Sequence, residues 1–166
     1  MANLCVLATV GAERPEARTL VLRDVDHRLA LFFNGHSPKA REVGHSDAVA
    51  VLVYLPSLSL QYRLHTTLTA IPPDIVHANW QYRPDVPKKM DWLYERHPQS
   101  SAIASRQALI ENLPETTPDR APASAIGYFL APLAVERLDL GQANGVHDRR
   151  RYTHQGEVWH ERILVP

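Results

Sequence analysis

The sequence predicts a mostly-β domain, a closed or partly closed barrel with a few helices at one side. Three observations lead there. Short β-rich runs fill the first 71 residues and return after residue 125. The segment between them carries helical spacing instead. Turn signals separate the runs, with no internal repeat and no boundary that would split the chain, so residues 1–166 read as one domain.

Leu4–Val10 is a β-rich run closed by Gly11, and Ala17–Val25 alternates loosely between polar and apolar residues. Arg28–Phe33 is apolar and stops at Asn34-Gly35, a turn signal. Ser37-Pro38 then supplies an N-cap and a first helical residue for one or two turns over Lys39–Val43. Ala48–Leu55 is a buried-strand candidate, and Leu58–Ile71 a longer strand with mixed faces. Pro72-Pro73-Asp74 opens a helix running to Tyr82. Met90, Leu93 and Tyr94 at helical spacing predict another over Lys88–Arg96, and Ser100–Leu109 a third. Residues 112–124, with three prolines and few large apolar side chains, read as an exposed loop. Ile126–Leu130 and Ala134–Leu140 are strands on either side of Pro132, and Arg149–Thr153 and Val158–Leu164 flank the hairpin signal Gln155-Gly156.

The composition is that of an ordinary globular protein, 45% hydrophobic and 22% charged. Lys+Arg and Asp+Glu both number 18, and without a basic excess nucleic acid is not an expected partner. Cys5 is the only cysteine, which excludes an internal disulfide and a cysteine-based zinc site and suits a reducing cytosol. No signal segment opens the chain, and the longest apolar run, Ala48–Leu55, is too short to span a bilayer. A cytoplasmic protein with no membrane partner is expected.

The nine histidines show no metal-ligand spacing. There is no G-x-S-x-G elbow, no P-loop and no G-x-G-x-x-G. More informative are Arg18 and Arg23 on one strand, and Lys39 at a helix start, where an anion would meet free N–H groups. Taken alone, Lys39 reads more readily as a solvated lysine on a capped surface helix.

The segments ARTLVLRDVD (17–26), LFFNGHSPKA (31–40), LQYRL (60–64), QYRPD (81–85), IASRQA (103–108) and VHDRRRY (146–152), with the Trp159–Pro166 ending, together resemble the pyridoxamine 5′-phosphate oxidase-like family of FMN-binding split barrels. The resemblance covers residues 4–166 and implies a Greek-key split β-barrel with flanking helices, FMN as cofactor, and a homodimer with the flavin at the subunit interface. Residue by residue, it implies that the strand Arg18, Thr19, Leu20, Val21, Leu22 and Arg23 lies along FMN, with Phe32 and Phe33 on the next strand. Ser37 and Lys39 would hold the phosphate, with Gln107 as the first residue of a Gln-Ser pair nearby. Gln61 would hydrogen-bond the flavin, and Arg149 of the His-Asp-Arg motif would reach it. His147 would face the substrate as the candidate catalytic group, and Arg83 would hold a substrate phosphate. Each has a plain alternative: Gln61 pointing outward, Arg149 paired with Glu136 or Asp148, Arg83 a loop cation.

Departures from the family pattern shape the functional expectation. The family's Arg-Lys reads Pro38-Lys39, its Tyr-Thr reads Phe32-Phe33, its Gln-Ser reads Gln107-Ala108, and an aromatic reads Leu138. The arginine two residues before His147 is Gly145, and the tyrosine four residues before Arg83 is Asn79. The segment 86–101 is longer than the family's, and the N-terminal piece that helps cover the oxidase's substrate is expected to be missing. The expectation is an FMN-dependent oxidoreductase with an unidentified small substrate. The alternatives are the oxidase itself and a non-catalytic flavin-binding module.

Overall fold

The computed structural model describes residues 3–156 and 158–166. Among the described residues thirteen elements occur in chain order, eight of them strands. Strands β1 (Asn3–Val10), β2 (Pro15–Val25) and β3 (Arg28–Asn34) come first, then α1 (Pro38–His45), β4 (Val49–Leu55), a 3₁₀ turn (Pro56–Leu58) and β5 (Leu60–Ala70). Three helices follow, α2 (Pro73–Gln81), α3 (Asp85–Leu93) and α4 (Arg106–Glu111), and then β6 (Ala125–Asp139), β7 (Asp148–Gln155) and β8 (Val158–Leu164).

The sheet order is β3-β2-β1-β4-β5-β6-β7-β8, and β3 also pairs with β6. Six strands therefore close into an antiparallel barrel, and β7 and β8 continue beyond it. The run β4-β1-β2-β3 is a Greek key. The expected mostly-β split barrel with flanking helices is the fold observed.

Strand pleating sorts the side chains. Cys5, Leu7, Val49, Val51, Leu64 and Leu68 face the barrel interior and are buried. Their neighbours Leu4, Val6, Ala8, Leu52 and Tyr54 face outward; the register Val6↔Leu52 and Leu7↔Val51 fixes the parity across β1 and β4. The β2–β3 hairpin turns through Asp26 and His27, both at positive φ (51° and 61°), the pattern of a two-residue turn matched to strand twist.

The chain divides into two compact units. One comprises Met1–Leu31, Ser46–Thr69 and Phe129–Pro166, the other Phe32–His45 and Ala70–Tyr128. The first holds most of the barrel wall. In the second, Phe33, Val43, Ile71, Val76, Trp80 and Leu93 are buried. There the loop 112–124 is strapped to the helices: Gln81 Nε2 donates to Asp119 O (2.6 Å), Lys89 Nζ to Glu115 O (2.6 Å) and Trp92 Nε1 to Arg120 O (2.8 Å).

Several boundaries differ from the sequence reading by a few residues, and three of the differences have a local cause. Helix α3 starts at Asp85 rather than Lys88, because Pro84 in extended conformation sets its N-cap. Helix α4 starts at Arg106 rather than Ser100, because the Ser105 side chain caps it by accepting from Ala108 N at 3.0 Å. The strands expected on either side of Pro132 are one 15-residue strand. Pro132 precedes the rungs with β7, which begin at Ala134, so its missing N–H costs that ladder nothing. Among the described residues no helix is long and apolar enough to cross a membrane.

Candidate functional site

The turn from β3 into α1 is built around Asn34. Its side chain donates to Ser124 Oγ (2.7 Å) and accepts from His36 N (2.8 Å). Its carbonyl accepts from Ser37 N (3.1 Å) and Ser37 Oγ (2.6 Å). Ser37 is fully buried, and its hydroxyl also lies 3.4 Å from Ala40 N, in the N-cap position. Pro38 is the first helical residue, which sacrifices no intrahelical bond. Lys39, only 8% exposed, sends Nζ to Gln99 Oε1 at 2.8 Å and lies 5.7 Å from the Phe33 ring centroid. Phe33 stacks on Tyr128 at 5.4 Å. Phe32 lies against Gly127, where any Cβ would come within 2.8 Å of its ring.

On β2, Arg18 and Arg23 fall on opposite faces, as an odd separation in a strand requires. Arg18, with Leu20 and Leu22, has the inward parity, and its guanidinium donates to Thr9 Oγ1. Thr19, Val21 and Arg23 point outward and are exposed.

A second polar group lies on the outer wall, where β5, β6 and β7 adjoin. Gln61 and Arg63 are alternate residues of β5, paired with Tyr54 and Leu52 on the outward face. The buried Glu136 carboxylate accepts from Arg63 Nη2 (2.6 Å) and Arg149 Nη2 (2.7 Å), with Arg151 Nη1 at 3.9 Å. Burial pulls the Glu136 carboxyl up, but the Arg149 hydrogen bond and the Arg63 charge outweigh it, and the net shift is downward. Arg63 Nε is buried and finds no acceptor. Arg149 therefore makes the Glu136 pair weighed as its plain alternative.

His147 is exposed on the turn between β6 and β7. That turn is ordered by Asp139 Oδ1, which accepts from Gly141 N (3.0 Å), and by Asn144 Oδ1, which accepts from Val146 N (3.0 Å). Gly145 sits at φ +75°, the left-handed region that favours glycine.

In the helical unit, Gln107 is exposed and bonds Glu111 one turn along its own helix (2.9 Å). Arg83, between α2 and α3, faces buried Asp91: Nε lies 3.2 Å from Oδ2, and Nη2 donates to Oδ1 at 3.4 Å. Trp80 Nε1 donates to Asp91 Oδ2 at 2.7 Å. Sequence reasoning missed Gln99, Arg63 and Asp91, and it weighed Glu136 only as a plain partner of Arg149. A signal existed for Gln99, since Gln99-Ser100 is a literal Gln-Ser pair eight residues before Gln107. Among the described residues no group of three or more His, Cys, Asp or Glu could hold a metal ion.

No family model matches the chain. Among the solved structures that share its fold are the following two. PhzG from Burkholderia lata 383, in complex with tetrahydrophenazine-1-carboxylic acid, superposes with a TM-score of 0.85 at 22% identity, covering 99% of this chain and 83% of the other. A pyridoxamine 5′-phosphate oxidase-related, FMN-binding protein from Nostoc punctiforme superposes with a TM-score of 0.80 at 24% identity, covering 99% and 88%. These define the fold class, a split β-barrel. Among curated relatives, the pyridoxine/pyridoxamine 5′-phosphate oxidase of Pseudomonas paraeruginosa is 33% identical over 172 residues, spanning 99% of this chain and 78% of that protein. That of Paraburkholderia phymatum is 34% identical over 162 residues, spanning 93% and 74%. The chain belongs to the pyridoxine/pyridoxamine 5′-phosphate oxidase family.

Proposed function

We propose that this chain is an FMN-dependent oxidoreductase acting on a small molecule, and that it works as a homodimer holding the flavin at the subunit interface. The observation that carries the reading is Lys39, a buried cation in the first turn of a helix whose entry is fixed by Ser37 and Asn34. A phosphate at that helix start would meet the lysine and the first-turn N–H groups together. The orphaned Arg63 Nε–H on the wall that carries Gln61 is a second mark of an absent acceptor. The residues present therefore fit the cofactor.

Lys39 and Ser37 are assigned to the phosphate, joined by Gln99 in the place first given to Gln107, because Gln99 already contacts Lys39. The strand Arg18–Arg23, with Phe32 and Phe33, is assigned to the cofactor's length. Gln61 and Arg149 are assigned to the ring, with Arg149 held in place by Glu136. When bound, FMN supplies a two-electron acceptor that takes hydride from an organic donor. His147, exposed on its turn, is the candidate for moving a substrate proton, an imidazole being suited to that near neutral pH.

Denaturing the purified protein and separating the released cofactor by chromatography tests the reading. FMN is expected, because the phosphate site has no dinucleotide-type glycine turn beside it. FAD, or no flavin even after reconstitution, would overturn it.

A further inference from the structure

The β7–β8 ribbon and the adjoining strand β6 sort their charges by face. The register places Arg137, Asp139, Asp148, Arg150 and Glu161 on one face. Both arginines there are matched. Arg137 pairs with Asp139 (2.6 Å) and Asp148 (3.0 Å), and Arg150 with Asp148 (2.8 Å) and Glu161 (2.8 Å). The opposite face carries Arg149, Arg151, Arg162 and Glu136, and Arg63 of β5 reaches the same carboxylate. Among the described residues Glu136 is the one carboxylate on that face, and Arg63 and Arg149 already share it at 2.6 and 2.7 Å. Arg151 stands 3.9 Å from it, beyond hydrogen-bond reach, and among the described residues no carboxylate pairs with Arg162. Four guanidinium groups thus meet one carboxylate, in a chain whose charges balance at 18 and 18.

Arg151 and Arg162 stand directly opposite each other across β7 and β8. Like charges in that position repel and weaken the strand pair. An anion between them reverses the effect. Cβ atoms of such a pair lie ~4.5–5.5 Å apart, so both forks reach one oxyanion. Both side chains are open to solvent, Arg151 at 45%. We propose that Arg151 and Arg162 form an oxyanion-binding site on this face of the ribbon, one that takes the carboxylate or phosphate group of a small molecule. Arg63 and Arg149 border the site and raise its potential, because Glu136 cancels only one of their two charges. From β5 to β8 the cationic face spans three strand spacings, ~14 Å, which suits one or two acid groups rather than a polymer. Neither Arg151 nor Arg162 is among the residues assigned to the flavin, and exposed Ile163 lies on the ribbon's other face.

The test titrates the protein in a calorimeter with inorganic phosphate and with succinate, at an ionic strength held constant with chloride. Saturable binding of at least one of them, with Kd below ~1 mM, is expected, and the better of the two tells phosphate from carboxylate as the preferred group. Arg151→Gln and Arg162→Gln are each expected to weaken that binding at least ~10-fold. Arg150→Gln removes a neighbouring charge from the matched face and is expected to change it by less than about twofold. No saturable binding of either anion up to about 10 mM would overturn the proposal. An Arg150→Gln loss equal to that of Arg151→Gln would overturn it too, by showing general charge attraction. Arg162→Gln decides alone should Arg151→Gln fail to fold. The titration is run with and without saturating FMN. Equal binding in both supports a site of its own, whereas binding abolished by FMN would make the site the cofactor's and overturn the proposal. A protein that takes up no FMN would sink the oxidoreductase reading instead, and the titration on that protein would still judge Arg151 and Arg162.

Discussion

Lys39 makes two demands on its surroundings: a helix start that tolerates a cation and an acceptor for a buried Nζ. Gln99 supplies the acceptor. A charge-assisted hydrogen bond is worth roughly 1.5–3 kcal/mol, so Lys39→Ala is expected to weaken FMN binding about 10- to 100-fold. Gln99→Ala should cost less, about 3- to 10-fold, as a neutral partner does. Arg83→Ala and Gln107→Ala should change little. Flavin-fluorescence titrations rank the four, and a Gln107→Ala loss equal to that of Lys39→Ala would refute the assignment. Gln99 escaped the sequence reading because its contact with Lys39 bridges 60 residues and lies in a stretch without periodicity, where counting along the family pattern led to Gln107 instead. The part of Arg63 escaped for a different reason. Glu136 and Arg149 could be paired from the sequence, but Arg63 comes from a separate strand, and only the sheet register brings the three charges together. Glu136 also makes a pH prediction. Its folded-state carboxyl is held below the ordinary range, so its contribution is present above the unfolded value of about 4.3 and drains away as the pH falls through the lowered one. Glu136→Gln should cost about 1–2 kcal/mol at about pH 7, less than a fully buried pair because the Arg63 and Arg149 side chains are 41% and 31% exposed. Urea denaturation of both proteins should show the gap narrowing towards about pH 3. A gap that stays constant across that range would mean the ion pairs contribute nothing to stability.

At the scale of elements, the strands were legible because apolar runs and turn residues punctuate them. Helix ends were less so, since caps such as Ser105 and Pro84 look like loop residues until the chain around them is placed. Pro132 shows how a local signal misleads: proline argues against a central strand, yet β6 runs through it because the rungs to β7 start two residues later. Gly145 changes meaning as well. The sequence suggests a loosened loop, whereas Asp139 and Asn144 tie the turn down and the glycine meets a positive φ. Gly127 carries the sharper prediction. A methyl group there would meet Phe32 ring carbons at 2.8 Å and Ile71 Cδ1 at 3.1 Å, in a segment where Ile71 N donates to Gly127 O. Gly127→Ala is therefore expected to destabilise by about 1–3 kcal/mol through overpacking. It should also disturb FMN binding through Phe32, if that ring lines the cofactor as proposed. Chemical denaturation of the variant checks the first effect, and an unchanged midpoint would mean the Phe32 ring moves aside at no cost.

On the scale of the whole molecule, the outer wall of the barrel is where a second subunit is expected. Leu4, Val21 and Tyr54 share the outward face of β2, β1 and β4, and all remain exposed, with Leu4 at 57%. The β7–β8 ribbon extends past the closed ring, so both of its faces look outward, and Trp159, Ile163 and Val158 lie open on it, Ile163 at 71%. Strand β8 ends the sheet order, and an uncovered edge strand with apolar side chains invites another chain. Single exposed apolar residues are ordinary, but a contiguous wall and a free edge within one unit are not. A homodimer that covers them should bury more than ~2,000 Å² in total, in the range of permanent assemblies. Light scattering at micromolar concentration should report twice the chain mass of 18.7 kDa, with or without added FMN. Ile163→Glu should shift that mass towards a single chain, because a charge in an apolar interface core has no compensating partner. Its FMN affinity should fall in parallel, if the flavin sits between subunits. A stable wild-type monomer would remove the dimer. A dimeric wild type whose Ile163→Glu variant becomes monomeric yet binds FMN undiminished would keep the dimer and move the flavin wholly inside one chain.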